Sequence, residues 1–564
     1  MGGIAFQNVA GLDPHKTRFD WYKEKKFDCN FGELIPIFVQ EVAPNDYWHI
    51  SNETLCRCTP LVAPVMHECS IDTHYFFVPA RILDDMNANP GGGNPYGDPL
   101  MLGDNAPPAN RFSWQLFITG GFDGMDNQTL PRWVPSGKNF VRPTDRISQN
   151  VPAPYKYSLW DYLGLPVLPD GVQWASPLTP VDFLRRAYNF IYNEYYRDET
   201  LEDPVTWRNE NILLRSWRKD YFTSSLPFQQ RGLAPAIPVN ISGVLNAIFD
   251  NALITSNSTT PVALGMSTTS PYKIGGGSVT INTTTEPGYI SLVTGNNQYL
   301  AQALNNNVIN SEGKLSGTSI DVSDLRQIVQ LQKFLERNAR AGARLPEFIL
   351  AHFGVHMGDA SLQRPEYIGG TKTPLVISEV LQTSQSDTTD QGNMSGHGIS
   401  YTENHVGTYH AKEHGYIIGL QSVMPKPSYQ QGINRQWLRK TRYDFLVPEF
   451  VNLSEQEILQ GEIYIANDST DEEIFGFQGV YDELRTQNSE VCGAFRDTLN
   501  YWHLGRIFDN APQLNADFIH VNPLYLTRIF FVQNEPGLLC DVSHTFYAVR
   551  CLPEIAEPGL LDHH

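Results

Sequence analysis

Residues 31–42 read FGELIPIFVQEV, and residues 70–79 read SIDTHYFFVP. Both are dense in β-branched and aromatic residues, which suit a pleated surface. Pro36 interrupts the first run. That run is therefore a strand only at a sheet edge or a bulge, where a missing N–H breaks no ladder bond. Residues 43–46, APND, are turn chemistry. A second extended run is expected through TPLVAPVM at 59–66, and the third stops at Pro79. Strands at this spacing predict a sandwich or a barrel. The far end of the chain adds FIHVNPLYLTRIFFVQ at 518–533 and CDVSHTFYAVRC at 540–551. Strand sets at both ends of one chain predict an antiparallel sheet that closes on itself.

The chain divides by composition into five stretches. Residues 1–30 read as an N-terminal arm in which Lys16, Arg18, Lys23, Lys25 and Lys26 alternate with Phe19, Trp21 and Tyr22. Such interleaving can track a single nucleic-acid strand, although Asp13, Asp20, Glu24 and Asp28 dilute it. Residues 31–83 hold the first strands. Residues 84–231 begin with loop chemistry, PGGGNPYGDP and GDNAPPAN, in which Trp114, Trp133, Trp160 and Trp174 are scattered. A long loop region in a compact domain covers or contacts something. Within it the spacing predicts a helix over 179–197, capped at Thr179, with Asp182 completing a capping box and Phe183, Ala187, Phe190 and Ile191 on its apolar face. Residues 232–322 contain only six charges, and Ser, Thr and Asn fill 16 of the 31 positions 255–285. Their aliphatic opening, ISGVLNAIFDNALI, argues for a compact displayed insertion rather than a linker. Residues 323–564 open on a helix with Leu325, Ile328, Val329, Gln332 and Leu335 on one face and Gly342 as its stop.

Net charge is −20. An acidic chain is no general polyanion binder, so contact with nucleic acid must be local or delegated to a basic partner. Charged residues are 18% of the chain, below the usual quarter, as in a protein that hides much of its surface against partners. The seven cysteines form no CxxC pair, and they read as reduced, partly buried thiols. No signal peptide and no membrane span are expected.

Catalytic chemistry is hard to find. His352 and His356 are four apart, as are His410 and His414, but neither pair makes an HExxH. HVGTYHAKEH also looks extended, which removes helical spacing, so hydrogen-bonding histidines are the reading. No GxSxG elbow or Walker loop occurs, and neither cofactor nor metal is expected. The basic cluster NRQWLRKTRYDF at 434–445 places Arg435, Arg439, Lys440 and Arg442 around Trp437 and Tyr443. RNARAGAR adds Arg337, Arg340 and Arg344. Either set could touch phosphates while aromatics stack on bases. Either could equally pair acids in the core or across subunits, the reading favoured for most of these residues. Arg435, Arg439, Lys440, Arg442, Trp437, Lys23, Lys25 and Lys26 are the candidate DNA-facing residues.

The chain resembles the major capsid proteins of microviruses, single-stranded DNA phages, and within them the gokushovirus branch. The blocks that carry the resemblance are FDCNFGELIPIFVQEVAPND (27–46), SIDTHYFFVPARIL (70–83), FLERNARAGARLPEFILAHFGVHMGDASLQRPEYIGG (334–370), PLVISEVLQTS (374–384) and the run from Gly415 to Ile458 that contains SYQQG. The resemblance implies a mainly β fold, an eight-stranded antiparallel jelly roll with long loop and helix insertions. It implies a non-enzymatic virion protein, about sixty copies of which close a T=1 icosahedral shell. The shell would form in the bacterial cytoplasm around circular single-stranded DNA, and 232–322 would supply an outer protrusion for a host receptor. Implied partners are a small basic DNA-packaging protein, a DNA pilot protein and an internal scaffolding protein. Two other classes share parts of the composition. One is a secreted or surface carbohydrate-binding β-sandwich. The other is a glycoside-cleaving enzyme, although acid pairs such as Asp84 and Asp85 sit in loops.

Overall fold

The computed structural model describes residues 15–80, 82–83, 132–133, 138–140, 149–151, 155–169, 172, 174–232, 322–341, 345–354, 356, 358, 364–381, 394–451 and 455–555. Eight strands form one antiparallel sheet. They are β1 (Thr17–Cys29), β2 (Ile35–Val42), β3 (Tyr47–Cys58), β4 (Cys69–Pro79), β5 (Glu366–Leu381), β6 (Met394–His410), β7 (Gly415–Pro425) and β8 (Leu538–Arg550). Their spatial order is β1-β8-β3-β6-β5-β4-β7-β2. The strand β5 serves both halves of the sheet: Glu366–Leu375 lies against β4 and Val376–Leu381 against β6. The first four strands alternate between the halves, which is the winding of a jelly roll.

The expected strands are present, for reasons visible in their residues. As the last strand in the order, β2 shifts register between Pro36 and Phe38. Proline therefore sits at both an edge and an irregularity. In β3, Trp48, Ile50, Asn52, Thr54, Cys56 and Cys58 are buried while the alternate side chains are not. By contrast β4 is buried along nearly its whole length. Tyr75 and Phe77 face a core with Phe38, Trp48 and Phe546, whereas Phe76 and Val78 face helix α1, Phe183–Tyr195. Burial on both faces explains why SIDTHYFFVP reads as an unbroken apolar run.

Four expectations are corrected. Residues 17–29 are no arm, because β1 pairs with β8 over its full length, from Thr17 opposite Arg550 to Cys29 opposite Leu538. Trp21 turns inward and stacks on Trp48 at 5.7 Å, and the charges that suggested an arm fall mostly on alternate positions. Residues 59–66 are irregular, since Pro60 and Pro64 withhold ladder donors. Residues 518–533 carry short helical turns instead of a strand. Asn515 and Asn522 start two of them by accepting from Phe518 N and Leu524 N. Finally, α1 begins at Phe183, and Asp182 makes no capping bond. Its expected apolar face is buried.

The chain forms two compact units, residues 1–231 with 336–564, and residues 232–335. The helix α2 is Val322–Ala341. Its Leu325 and Val329, expected on a buried face, are 44% and 45% exposed. The helix α3, Leu345–Phe353, follows. Gly342, Arg344, most of 84–154 and residues 233–321 lie outside the described residues.

One glycine is dictated by space. Gly32 has φ +80°, and a Cβ there would lie 2.5 Å from Val521 Cβ. Alanine would meet both backbone strain and a packed core.

Three histidines are held as neutral groups, His544 buried and His67 and His74 half-buried. His67 takes the Lys426 carbonyl at 2.7 Å, His74 the Tyr196 hydroxyl at 2.7 Å, and His544 the Tyr75 hydroxyl at 2.8 Å. Burial lowers the first two to about 4 and His544 to about 3. An unfolded histidine titrates near 6.5. Below that pH the unfolded chain gains protons that the fold refuses, so stability is full above 6.5 and declines toward pH 4. The thermal midpoint should drop between pH 7.5 and 4.5, and less steeply in a His544→Gln variant. An equal slope in both would contradict this origin.

Candidate nucleic-acid interface

The chain leaves β7 and enters three short 3-10 turns, Arg435–Trp437, Arg442–Asp444 and Pro448–Phe450. Asn434 caps the first by accepting from Gln436 N at 3.1 Å. Asp444 fixes the second, its carboxylate taking the N–H groups of Thr441 and Lys440 at 2.7 Å each. Those bonds hold its carboxyl below the ordinary range. Gly432 lets the loop pass the neighbouring backbone, since a Cβ there would lie 2.0 Å from the Glu462 carbonyl oxygen.

The basic cluster divides by partner. Arg435 Nη1 donates to Glu462 Oε1 and to the Glu457 carbonyl, both at 2.6 Å. Glu462 is buried. Burial pushes its carboxyl up and Arg435 draws it part of the way back. Arg439 meets Glu483 at 3.3 Å with both side chains nearly enclosed. These two arginines anchor the loop to its own chain. Lys440 reaches Glu472 at 3.3 Å, but both are exposed, so water screens the pair. Arg442 lies 4.8 Å over the Tyr443 ring and donates to its hydroxyl at 2.7 Å. Among the described residues it faces no carboxylate. Trp437 is 76% exposed.

The amino-terminal lysines sit elsewhere. Lys23 Nζ donates to the Val39 carbonyl at 3.2 Å, and Lys25 Nζ to Pro36 at 2.5 Å and to Tyr162. They tie β1 to β2, the two ends of the strand order, and so close the seam of the roll. Burial lowers Lys25 to about 8. Lys26 pairs with Glu24 and, at 3.2 Å, with Asp541. Trp437, Lys440 and Arg442 are thus exposed on one stretch of chain, while the three lysines lie on β1.

Sequence reading missed Arg496. Its Nε donates to the Val491 carbonyl at 3.1 Å, and among the described residues no carboxylate pairs with it. It lines one cavity of about 380 Å³ together with Gln430, Arg435, Trp437 and Asn488. No motif marks it, because chain folding alone brings 430–437 and 486–496 together. Arg340, from the second basic cluster, bonds Glu455 at 2.5 Å.

A second surface is apolar. Val62, Met66, Phe531 and Val532 are 41%, 70%, 78% and 42% exposed. Backbone bonds join their loops, Val62 N to the Ile529 carbonyl at 2.9 Å and Phe531 N to Pro60 at 3.0 Å. These are the runs that sequence pattern assigned to strands. Their side chains are apolar without being buried in the chain.

The histidine pairs hold no metal geometry. His410 ends β6 and meets Asn45 at 3.2 Å, and His352 on α3 meets Asn338 at 2.6 Å. Among the described residues no cluster of three or more His, Cys, Asp or Glu is placed to hold a metal, and no helix is long and apolar enough to cross a membrane. Cys29, Cys56, Cys58, Cys69 and Cys540 are free and buried.

Comparison with known proteins gives a concordant picture. Residues 9–93 and 135–560 match the family described as Capsid protein (F protein). The chain is 30% identical to Capsid protein VP1 of Chlamydia phage 1, covering 98% of this chain and 97% of that protein. It is 29% identical to Capsid protein VP1 of Bdellovibrio phage phiMH2K, with coverage of 98% and 97%. It is likewise 29% identical to Capsid protein VP1 of Spiroplasma virus 4, with coverage of 94% and 93%.

Proposed function

Because this chain belongs to the Capsid protein (F protein) family and is a virion protein, we propose that it is the major subunit of a T=1 shell, about sixty copies closing around single-stranded DNA by icosahedral symmetry. The observation that carries this reading is the apolar surface around Met66 and Phe531, too exposed for a solitary chain. Copies of the chain cover it. Assembly takes place in the bacterial cytoplasm. Residues 232–322 face outward and meet a host receptor, in keeping with their low charge. An internal scaffold and a pilot protein complete the particle. With a net charge of −20, the shell needs a small basic packaging protein to neutralise most of the genome.

The DNA contact is narrower than the candidate set. Trp437, Lys440 and Arg442 serve it, while Arg435, Arg439 and the three lysines hold the fold. The test compares two variants. Arg435→Gln leaves buried Glu462 without its ion pair, and should cost about 3 kcal/mol of stability and most of the particle yield. Arg442→Gln should leave yield and melting unchanged and lower the DNA content per particle. Normal DNA content with reduced yield for Arg442→Gln would make it a subunit contact instead.

A further inference from the structure

The cavity beside Trp437 carries features that the shell alone does not explain. Its wall contains Arg435 and Glu462, which satisfy each other at 2.6 Å, so that pair offers no net charge to a ligand. The side chain of Gln430 is oriented by its Nε2, which donates to the Arg496 carbonyl at 3.2 Å. That leaves Gln430 Oε1 buried and without a hydrogen-bond partner. Asn488 Oδ1 is in the same condition. Both residues line the cavity. A donor arriving at either oxygen supplies the missing hydrogen bond, and for Gln430 the turn exchanges its Nε2 bond to the Arg496 carbonyl for that one. The exposed Trp437 ring also lines the cavity, as do Arg496, which forms no ion pair among the described residues, and two acids, Glu483, held by Arg439, and Glu490.

We infer that this cavity takes one unstacked nucleobase of single-stranded DNA. The inference rests on the genome-enclosing reading above and adds a site to it. The base lies on the Trp437 indole, as aromatic platforms hold single strands. Its N–H groups donate to Gln430 Oε1 and Asn488 Oδ1 after the two side chains turn. Arg496 holds the adjoining phosphate at the rim. Two acceptors select for donors. Cytosine and adenine carry an exocyclic amine with two N–H bonds, whereas thymine offers only its ring N–H. The site therefore favours cytosine and adenine over thymine.

The test titrates the purified full chain into labelled homopolymers of dC, dA and dT of equal length, followed by anisotropy, with thermal melting to confirm that each variant folds. The parent should bind dC and dA several-fold more tightly than dT. Trp437→Ala should weaken dC binding about tenfold or more, the loss of one stacked base. Gln430→Leu should bring dC to the dT level. Arg496→Gln should lower the slope of log affinity against log salt by about 0.7, one single-strand phosphate contact. Folded Trp437→Ala and Gln430→Leu chains that bind all three polymers as the parent does would overturn the site and leave the shell reading intact. A lysine-rich peptide whose binding is lost in Trp437→Ala while DNA binding is unchanged would assign the cavity to a basic protein instead. A parent that binds no DNA would remove both the site and the genome-enclosing reading.

Discussion

Asp182→Ala should cost about 3–5 kcal/mol of folding stability, the cost of breaking a buried ion pair by removing one partner. Asp182 is 1% exposed. Its Oδ1 accepts from Arg185 Nε at 2.7 Å, and its Oδ2 from Arg185 Nη2 at 2.8 Å and Arg186 Nε at 3.1 Å. Arg185 continues to Glu210 at 3.1 Å, and Glu210 accepts from Trp133 Nε1 at 3.1 Å. This network ties the start of α1 to Glu210, to Trp133 and, through Arg186, to the Leu83 carbonyl. Removing the carboxylate leaves two buried guanidiniums whose shared acid is gone, and no water reaches them to compensate. Asp182→Asn keeps acceptor oxygen but not charge, so it should fall between the parent and Asp182→Ala. Denaturant unfolding of soluble chains measures the difference. A loss below about 1 kcal/mol for Asp182→Ala would mean that the helix is held by its apolar face alone.

Phe531→Glu should abolish particles while leaving the subunit folded. Phe531 is 78% exposed in the single chain, so a charge there changes folding by less than about 0.5 kcal/mol. In a shell the same position is desolvated in every copy, because symmetry repeats each contact. A buried, unpaired carboxylate at the centre of an interface costs about 2 kcal/mol or more at each repeat. Met66→Glu, on the same surface, should behave alike. Sedimentation separates subunits from particles, and melting curves establish the fold. Normal particle yield from folded Phe531→Glu chains would remove this patch from the self-contact.

Much of the roll is legible in the sequence because its patterns have single causes. The apolar run SIDTHYFFVP becomes β4, Pro36 marks an edge with a register shift, and all of CDVSHTFYAVRC but its last residue falls within β8. The misreadings have causes too. TPLVAPVM and the run from Phe518 to Gln533 look like strands because pattern registers apolar residues without asking whether this chain or another covers them. The strand β1 looks like an arm because its charges dominate its composition, while Trp21 and Phe27, the residues that pack inward, are few. The proposed narrowing of the DNA-facing set has a different origin. Sequence shows a cation but not its partner. Glu462 and Glu483, which hold Arg435 and Arg439, arrive from 27 and 44 residues away. Arg496 went unseen because only the fold carries it to Trp437.

The most direct test of the capsid assignment is electron microscopy and sedimentation of the full chain produced with its phage partners. Closed particles of one size, built from this chain and holding single-stranded DNA, are the expected result. A chain that stays a folded monomer under every partner combination would contradict it.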